Sequence, residues 1–246
     1  MTSKTRLNKY IASSGICSRR DADALIAQGK VNVNGKKVQE LGFLVGEKDK
    51  VFIDGKLIHP KKLEYYRFYK PAGYITTSDD EKGRKTIYDI LPEEMKKLNP
   101  VGRLDKDSTG LLIMTNDGDL INQLTHPSVK VPKVYIVRID GRINQNHINQ
   151  MALGIEIEEG KKAYADVGVI EISNKSTLMQ VVLYQGLNRQ IRKMFAYLGF
   201  EVQSLKRIQH ATINLDGIKK GEIKPIKPKQ IKELKVYLSK IASKNA

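Results

Sequence analysis

Two aspartates stand two positions apart in the run Gly102-Arg103-Leu104-Asp105-Lys106-Asp107-Ser108-Thr109-Gly110-Leu111-Leu112. Asp105 follows an apolar residue and precedes a Ser-Thr-Gly stretch, a strand-to-loop setting in which a carboxylate can be placed in one position. Ionised, it could serve as a nucleophile or a base. With Asp107 as a second acid, two-carboxylate hydrolysis is another reading of the same run. A buried aspartate costs several kcal/mol unless it is paired. Arg192, whose charge does not titrate near neutrality, is a candidate counterion. The sequence by itself does not bring Asp105 and Arg192 together. Other chemistries find little support. There is no Walker loop and no GxGxxG turn. His59, His126, His147 and His210 are scattered without metal-ligand spacing, and Cys17 is the sole cysteine. No metal and no cofactor are expected.

Such a carboxylate needs elements to hold it, and 246 residues suffice for one sizeable domain and a small one. Leu7, Tyr10 and Ile11 recur at helical spacing, with Gly15 as a stop. Ser18 opens a second helix, with Asp21 as its capping partner, Leu25-Ile26 on the buried side and Gly29 at the end. Val31 to Val38 reads as a hairpin turning at Asn34-Gly35, and Val51-Phe52-Ile53 with Asp54-Gly55 repeats the device. Residues 1–58 thus form a small domain of two helices and a small sheet. Residues 59–63, around Pro60-Lys61-Lys62, read as a linker, and residues 64–246 as the larger domain. Strands are expected at Tyr65–Tyr69, Tyr74–Thr77, Gly110–Thr115, Val134–Ile139, Ala163–Ile172 and Leu178–Tyr184. Helices are expected at Asp119–Leu124, Gln145–Leu153 and Arg189–Leu198. A basic terminal helix after Pro228 carries Ile231, Leu234, Leu238 and Ile241 on one face. Lys70-Pro71-Ala72-Gly73 reads as a turn, and Asp79 to Lys85 as a solvated loop. The fold class is α+β, with a mixed, mostly antiparallel central sheet.

Lysine and arginine number 43 against 27 acids, a formal charge of +16. Such an excess calls for a polyanion, and nucleic acid is the usual one. No run of about 20 apolar residues can span a bilayer, and the amino terminus shows no signal-peptide core. A lone cysteine suits a reducing cytoplasm.

The small domain resembles the S4 RNA-binding domain. The likeness covers residue 6 to about 57 and rests on Arg6-Leu7-Asn8-Lys9-Tyr10-Ile11, Gly15-Ile16-Cys17-Ser18-Arg19-Arg20 and Gly29 to Gly35. It implies phosphate contacts from Arg6, Lys9, Arg19, Arg20 and Lys30, as suits A-form RNA, which is read by shape. The run around Asp105, followed by Thr115-Asn116-Asp117-Gly118, resembles the catalytic loop of pseudouridine synthases. Lys133-Val134-Tyr135 and Gly186-Leu187-Asn188-Arg189-Gln190-Ile191-Arg192-Lys193-Met194 support the likeness in the same order. Ser108-Thr109 and Lys193 depart from the commonest pattern but keep a hydroxyl and a positive charge. The branch most similar contains both small-subunit and large-subunit ribosomal RNA enzymes.

That resemblance implies Asp105 as the essential carboxylate, paired with Arg192. It implies Tyr135 as a stacking platform for the extruded base, Ile191 as apolar packing beneath it, and Lys70 near the substrate. Arg103 either orients the RNA backbone or the loop, or sits in a structural salt bridge. The implied partner is ribosomal RNA, 23S rather than 16S, naked or in an assembling particle, acted on by a monomer. A noncatalytic S4 protein of ribosome assembly would explain the charge but not three catalytic motifs. An S4-linked methyltransferase would need a glycine-rich cofactor loop that is not present.

Overall fold

The computed structural model describes residues 4–78 and 80–244. Asp79 of the expected solvated loop, and the final two residues, lie outside the described residues. Contacts divide the chain into two compact units, Met1–Leu63 with Asn116–Gly118, and Glu64–Thr115 with Asp119–Ala246. Residues 59–64 carry no regular element.

In the smaller unit α1 spans Leu7–Ser13 and α2 spans Arg19–Ala27. The Ser18 hydroxyl accepts the Asp21 N–H while the Asp21 carboxylate accepts the Ser18 N–H, the reciprocal cap expected from the sequence. A four-stranded antiparallel sheet follows, ordered Lys36–Val38, Val31–Val33, Val51–Ile53, Lys56–Ile58. Both hairpins turn through paired positive φ, 53° and 82° at Asn34-Gly35 and 46° and 76° at Asp54-Gly55. This is the conformation that matches strand twist. Leu7, Ile11, Ala22 and Ile26 pack with Val31, Val51 and Ile53 in one core.

The larger unit is built on a nine-stranded sheet. Its main path runs Asp166–Ile172, Ser176–Leu183, Lys133–Asp140, Val202–His210, Thr109–Thr115, Tyr65–Lys70, Ile223–Pro225. Neighbours on this path pair antiparallel except Val202–His210 with Thr109–Thr115, which pair parallel. The central sheet is therefore mixed and mostly antiparallel. Four helices accompany it: α3 (Gly118–Thr125), α4 (Gln145–Leu153), α5 (Gln190–Tyr197) and α6 (Pro228–Lys244). Along Thr109–Thr115, Leu111 and Ile113 pack with Leu120, Leu124, Leu234 and Leu238, whereas Leu112 and Met114 pack with Phe68 and Ile87. Burial on both faces is why this strand reads as an unbroken apolar run.

Three sequence expectations need correction. Tyr74–Thr77 is not a strand; one bridge, Ile75 to Thr86, is its only ladder contact among the described residues, and Thr76 is turned to another task described below. Ala163–Ile172 breaks into Lys161–Ala163 and Asp166–Ile172, which belong to different sheets. The nine-residue strand Val202–His210, near the middle of the sheet, has no counterpart among the strands that the sequence predicts. Its buried positions are Val202, Leu205, Arg207 and His210. Register shifts against Lys133–Asp140 break the period-two alternation by which strands are recognised. Its parallel pairing brings Arg207 opposite Gly110. Gly110 has φ 112°, and a Cβ there would stand 2.2 Å from the Arg207 carbonyl oxygen, so only glycine fits.

Candidate active site

Asp105 lies in the loop that enters the Thr109–Thr115 strand, with its side chain 31% exposed. The loop is held from behind by its carbonyl groups. Lys70, at the end of the Tyr65–Lys70 strand, has 0% exposure. Its Nζ donates to the carbonyls of Asp105 at 3.0 Å, Lys106 at 3.3 Å, Ser108 at 2.9 Å and Pro71 at 3.0 Å. The Thr76 hydroxyl donates to Leu104 O at 2.9 Å and accepts the Leu104 N–H at 3.3 Å. Gly73 N–H donates to Lys106 O at 2.8 Å. With the backbone oxygens satisfied inward, the Asp105 carboxylate is left to face outward. Burial pushes the Lys70 ammonium down to about 8, although Asp105 and Asp107 pull it back up. The sequence predicts a turn at Lys70-Pro71-Ala72-Gly73, and the family resemblance implies that its lysine lies near substrate. In the structure its ammonium contacts the Asp105 loop itself. An apolar strand ending in a lysine before proline was the available signal.

The cation facing Asp105 is not the expected one. Arg189 Nη1 stands 3.9 Å from Asp105 Oδ2, and among the described residues no other cation comes within ion-pair distance of that carboxylate. Arg192 Nη1 instead donates to Val202 O at 3.1 Å. The reason is helical geometry. Arg189 caps α5 in the left-handed region, φ 49° and ψ 34°, at the end nearest the loop, and Arg192 lies most of a turn further on. A non-glycine residue held there carries about 1 kcal/mol or more of strain, a feature common at working sites.

Leu104, Tyr135 and Ile191 belong to one apolar cluster, so the three sequence motifs converge on the same floor. Tyr135 is 8% exposed on the Lys133–Asp140 strand, opposite Arg207. Ile191 is 3% exposed on α5. Arg103 is exposed and makes no ion pair among the described residues, which removes the structural salt bridge considered for it. Lys193 pairs with Glu158, whose carboxyl is lowered to about 2 by hydrogen bonds from Lys161 and Lys193.

In the smaller unit Arg6, Arg19, Arg20 and Lys30 are exposed and Lys9 is half-exposed. Arg19 and Arg20 occupy the first two positions of α2, where the helix dipole disfavours cations by about 0.3–1 kcal/mol each. No acid among the described residues pairs with either. Unpaired charge at an unfavourable helix end is a feature that a polyanionic ligand would reward.

Residues 64–197 match the family model described as RNA pseudouridylate synthase, and residues 5–57 match the S4 domain. The chain belongs to the RNA pseudouridylate synthase family. This pseudouridine synthase is 38% identical over 232 residues to the Bacillus subtilis ribosomal large subunit pseudouridine synthase B, covering 94% of this chain and 95% of that one. It is 39% identical over 228 residues to the Escherichia coli dual-specificity RNA pseudouridine synthase RluF, covering 89% of this chain and 74% of that one. A crystal structure of a pseudouridylate synthase superposes with a TM-score of 0.68 at 27% identity, covering 93% of this chain and 99% of that one. Membership in a family of isomerases disfavours the hydrolase and methyltransferase readings, as well as the noncatalytic one. No described helix is long and apolar enough to cross a membrane.

Proposed function

We propose that this enzyme isomerises a uridine of ribosomal RNA, in the 23S molecule, with Asp105 as its essential carboxylate. The observation that carries the reading is the Asp105 loop, with its carbonyls bound inward by Lys70, Thr76 and Gly73 and its carboxylate open beside Arg189. The large-subunit assignment rests on the likeness to the Bacillus subtilis enzyme along nearly the whole of both chains. The enzyme works as a monomer in the cytoplasm, on naked RNA or on a particle still assembling, where the target base is accessible.

The target uridine leaves its stack at a cost of a few kcal/mol. Tyr135 offers a ring on which the freed base can rest, returning about 1–3 kcal/mol. Ile191 supplies apolar packing below it, Arg192 and Arg103 approach the RNA around it, and Arg189 sets the direction of the carboxylate. Asp105 then adds to the ribose or removes one of its protons. The bond between uracil N1 and ribose C1′ breaks, the base turns, and C5 joins C1′. The C5 hydrogen leaves to solvent and N1 gains a proton, so atoms balance without a co-reactant. Arg6, Lys9, Arg19, Arg20 and Lys30 of the S4 unit bind the surrounding structured RNA.

The test is chemical mapping of pseudouridine in ribosomal RNA treated with the enzyme and in RNA left untreated. One enzyme-dependent position in 23S RNA is expected. A position in 16S RNA would move the substrate and keep the chemistry, whereas no new pseudouridine in either RNA would defeat the proposal.

Two variants separate the roles. Tyr135→Phe is expected to keep most of the stacking, whereas Tyr135→Ala should lower kcat/KM roughly 10- to 100-fold, in line with a lost stacking partner. Parent-like kinetics in Tyr135→Ala would remove the platform. Replacing Arg19 and Arg20 together by Gln should weaken RNA binding and reduce the slope of log K against log salt by up to about two. An unchanged slope would place the RNA elsewhere.

A further inference from the structure

A pocket of about 510 Å³ opens beside the guanidinium that faces Asp105. Arg189, Arg192 and Ala196 form one wall, and Asp140, Phe200 and Glu201 are among the residues opposite. The first three are spaced three and four apart, so they line up along one side of α5. Arg192 is anchored through Nη1 to Val202 O, while its Nε is buried without a hydrogen-bond partner. Asp140 accepts the Glu201 N–H through Oδ1, which leaves Oδ2 available. No hydrogen bond or ion pair among the described residues engages the Glu201 carboxylate. Phe200 is half-exposed, its ring held by an edge contact with His147 at 5.1 Å between centroids. At Gly199 an added Cβ would meet nothing within 4 Å, so space there is open.

This lining selects among ligand classes. Two carboxylates disfavour a phosphate, and two guanidiniums disfavour a cation. Donors and acceptors together with an aromatic edge suit a nucleobase, since proteins read RNA mainly through unstacked bases hydrogen-bonded along their edges. Guanine alone among the four presents two donors, N1–H and N2–H, side by side for a carboxylate. It also presents two acceptors, O6 and N7, side by side for an arginine.

We propose that this pocket receives an unstacked guanine of the substrate RNA near the target uridine, with Glu201 accepting from its N1–H and N2–H and Arg192 donating to its O6 and N7. Arg189 is shared between the pocket and Asp105, so binding of this guanine is coupled to placement of the uridine. The inference rests on the reading of the chain as an RNA-modifying catalyst and names a specificity subsite of that catalyst.

The experiment uses the full-length enzyme and an RNA stem-loop that carries the mapped uridine. Each guanosine within about five nucleotides is replaced singly by inosine, which lacks only the 2-amino group. One replacement is expected to lower kcat/KM roughly tenfold, the effect of one charged hydrogen bond. In Glu201→Gln, and in Ala196→Trp, which fills the pocket from an exposed position, the same replacement should matter by no more than about twofold, because the partner is lost from both sides of the cycle. Equal rates for every inosine RNA, or a penalty that persists undiminished in both variants, overturns the guanine pocket while pseudouridine formation stands. Failure of the parent enzyme to form pseudouridine in any RNA overturns the catalytic reading and the pocket with it.

Discussion

Asp105→Asn is expected to leave the RNA bound and to stop the isomerisation. The change keeps the size of the side chain, and the loop carbonyls remain tied to Lys70, Thr76 and Gly73. What disappears is the anion. A carboxamide neither adds to a sugar carbon nor takes a proton at neutral pH, so the step proposed for Asp105 loses its agent. The rate should fall by roughly 1,000-fold or more, the scale seen when a residue acting in the transition state is removed. Tritium release from RNA labelled at uridine C5 measures this directly, because joining C5 to the ribose expels that hydrogen. Affinity for the RNA, measured in parallel by filter binding, should change little. Turnover within tenfold of the parent would show that the carboxylate is not the essential group.

Lys70→Met should damage both stability and rate, for one physical reason. The buried ammonium serves four backbone carbonyls at 2.9 to 3.3 Å. Methionine fills a similar volume and donates nothing, so those oxygens lose their partner in a dry place. A loss on the order of 3 kcal/mol is expected, about 10 °C in Tm for a chain of this size. The Asp105 loop then loses its fixed position. A displacement of about 1 Å at a reacting group lowers kcat roughly 100-fold, with KM for RNA little changed. Stability against pH supplies a second readout. Burial holds Lys70 at about 8, and burial together with the Arg207 charge holds Lys133 at about 8, against 10.5 for an ordinary lysine. Between these values the unfolded chain binds more protons than the folded one, so the contribution of both lysines makes stability rise with pH through that window. Removing Lys70 should halve that slope between about pH 8 and 10. A variant as stable and as fast as the parent would show that the four carbonyls find other partners.

Much of the architecture was legible in the sequence because its signals are local. The Ser18-Asp21 cap and the Asn34-Gly35 and Asp54-Gly55 turns depend on residues within three positions of one another, and they stand as the sequence implies. Helix α4 coincides with the expected Gln145–Leu153 because its apolar period and Asn144 cap lie within one segment. Elements defined by partners far along the chain were not legible. Val202–His210 is a strand because Lys133–Asp140 and Thr109–Thr115 flank it, and its bulges hide the alternation. Tyr74–Thr77 has the composition of a strand but lacks a partner ladder, and its Thr76 bonds Leu104 instead.

The candidate site divides in the same way. By itself the sequence determined which residue types were available: Asp105 in a Leu-Asp-Lys-Asp-Ser-Thr-Gly run, Tyr135 behind a lysine, and a basic segment from Arg189 to Lys193. The tertiary structure decided which of them meet. Arg189 rather than Arg192 faces the carboxylate, because a left-handed residue at the start of α5 aims one guanidinium at the loop while the helix carries the other toward Val202. It also decided that Lys70, 35 positions before Asp105, holds the backbone of the Asp105 loop. Residue identity is written along the chain, but a hydrogen bond across such a separation exists only once the sheet has brought its two ends together.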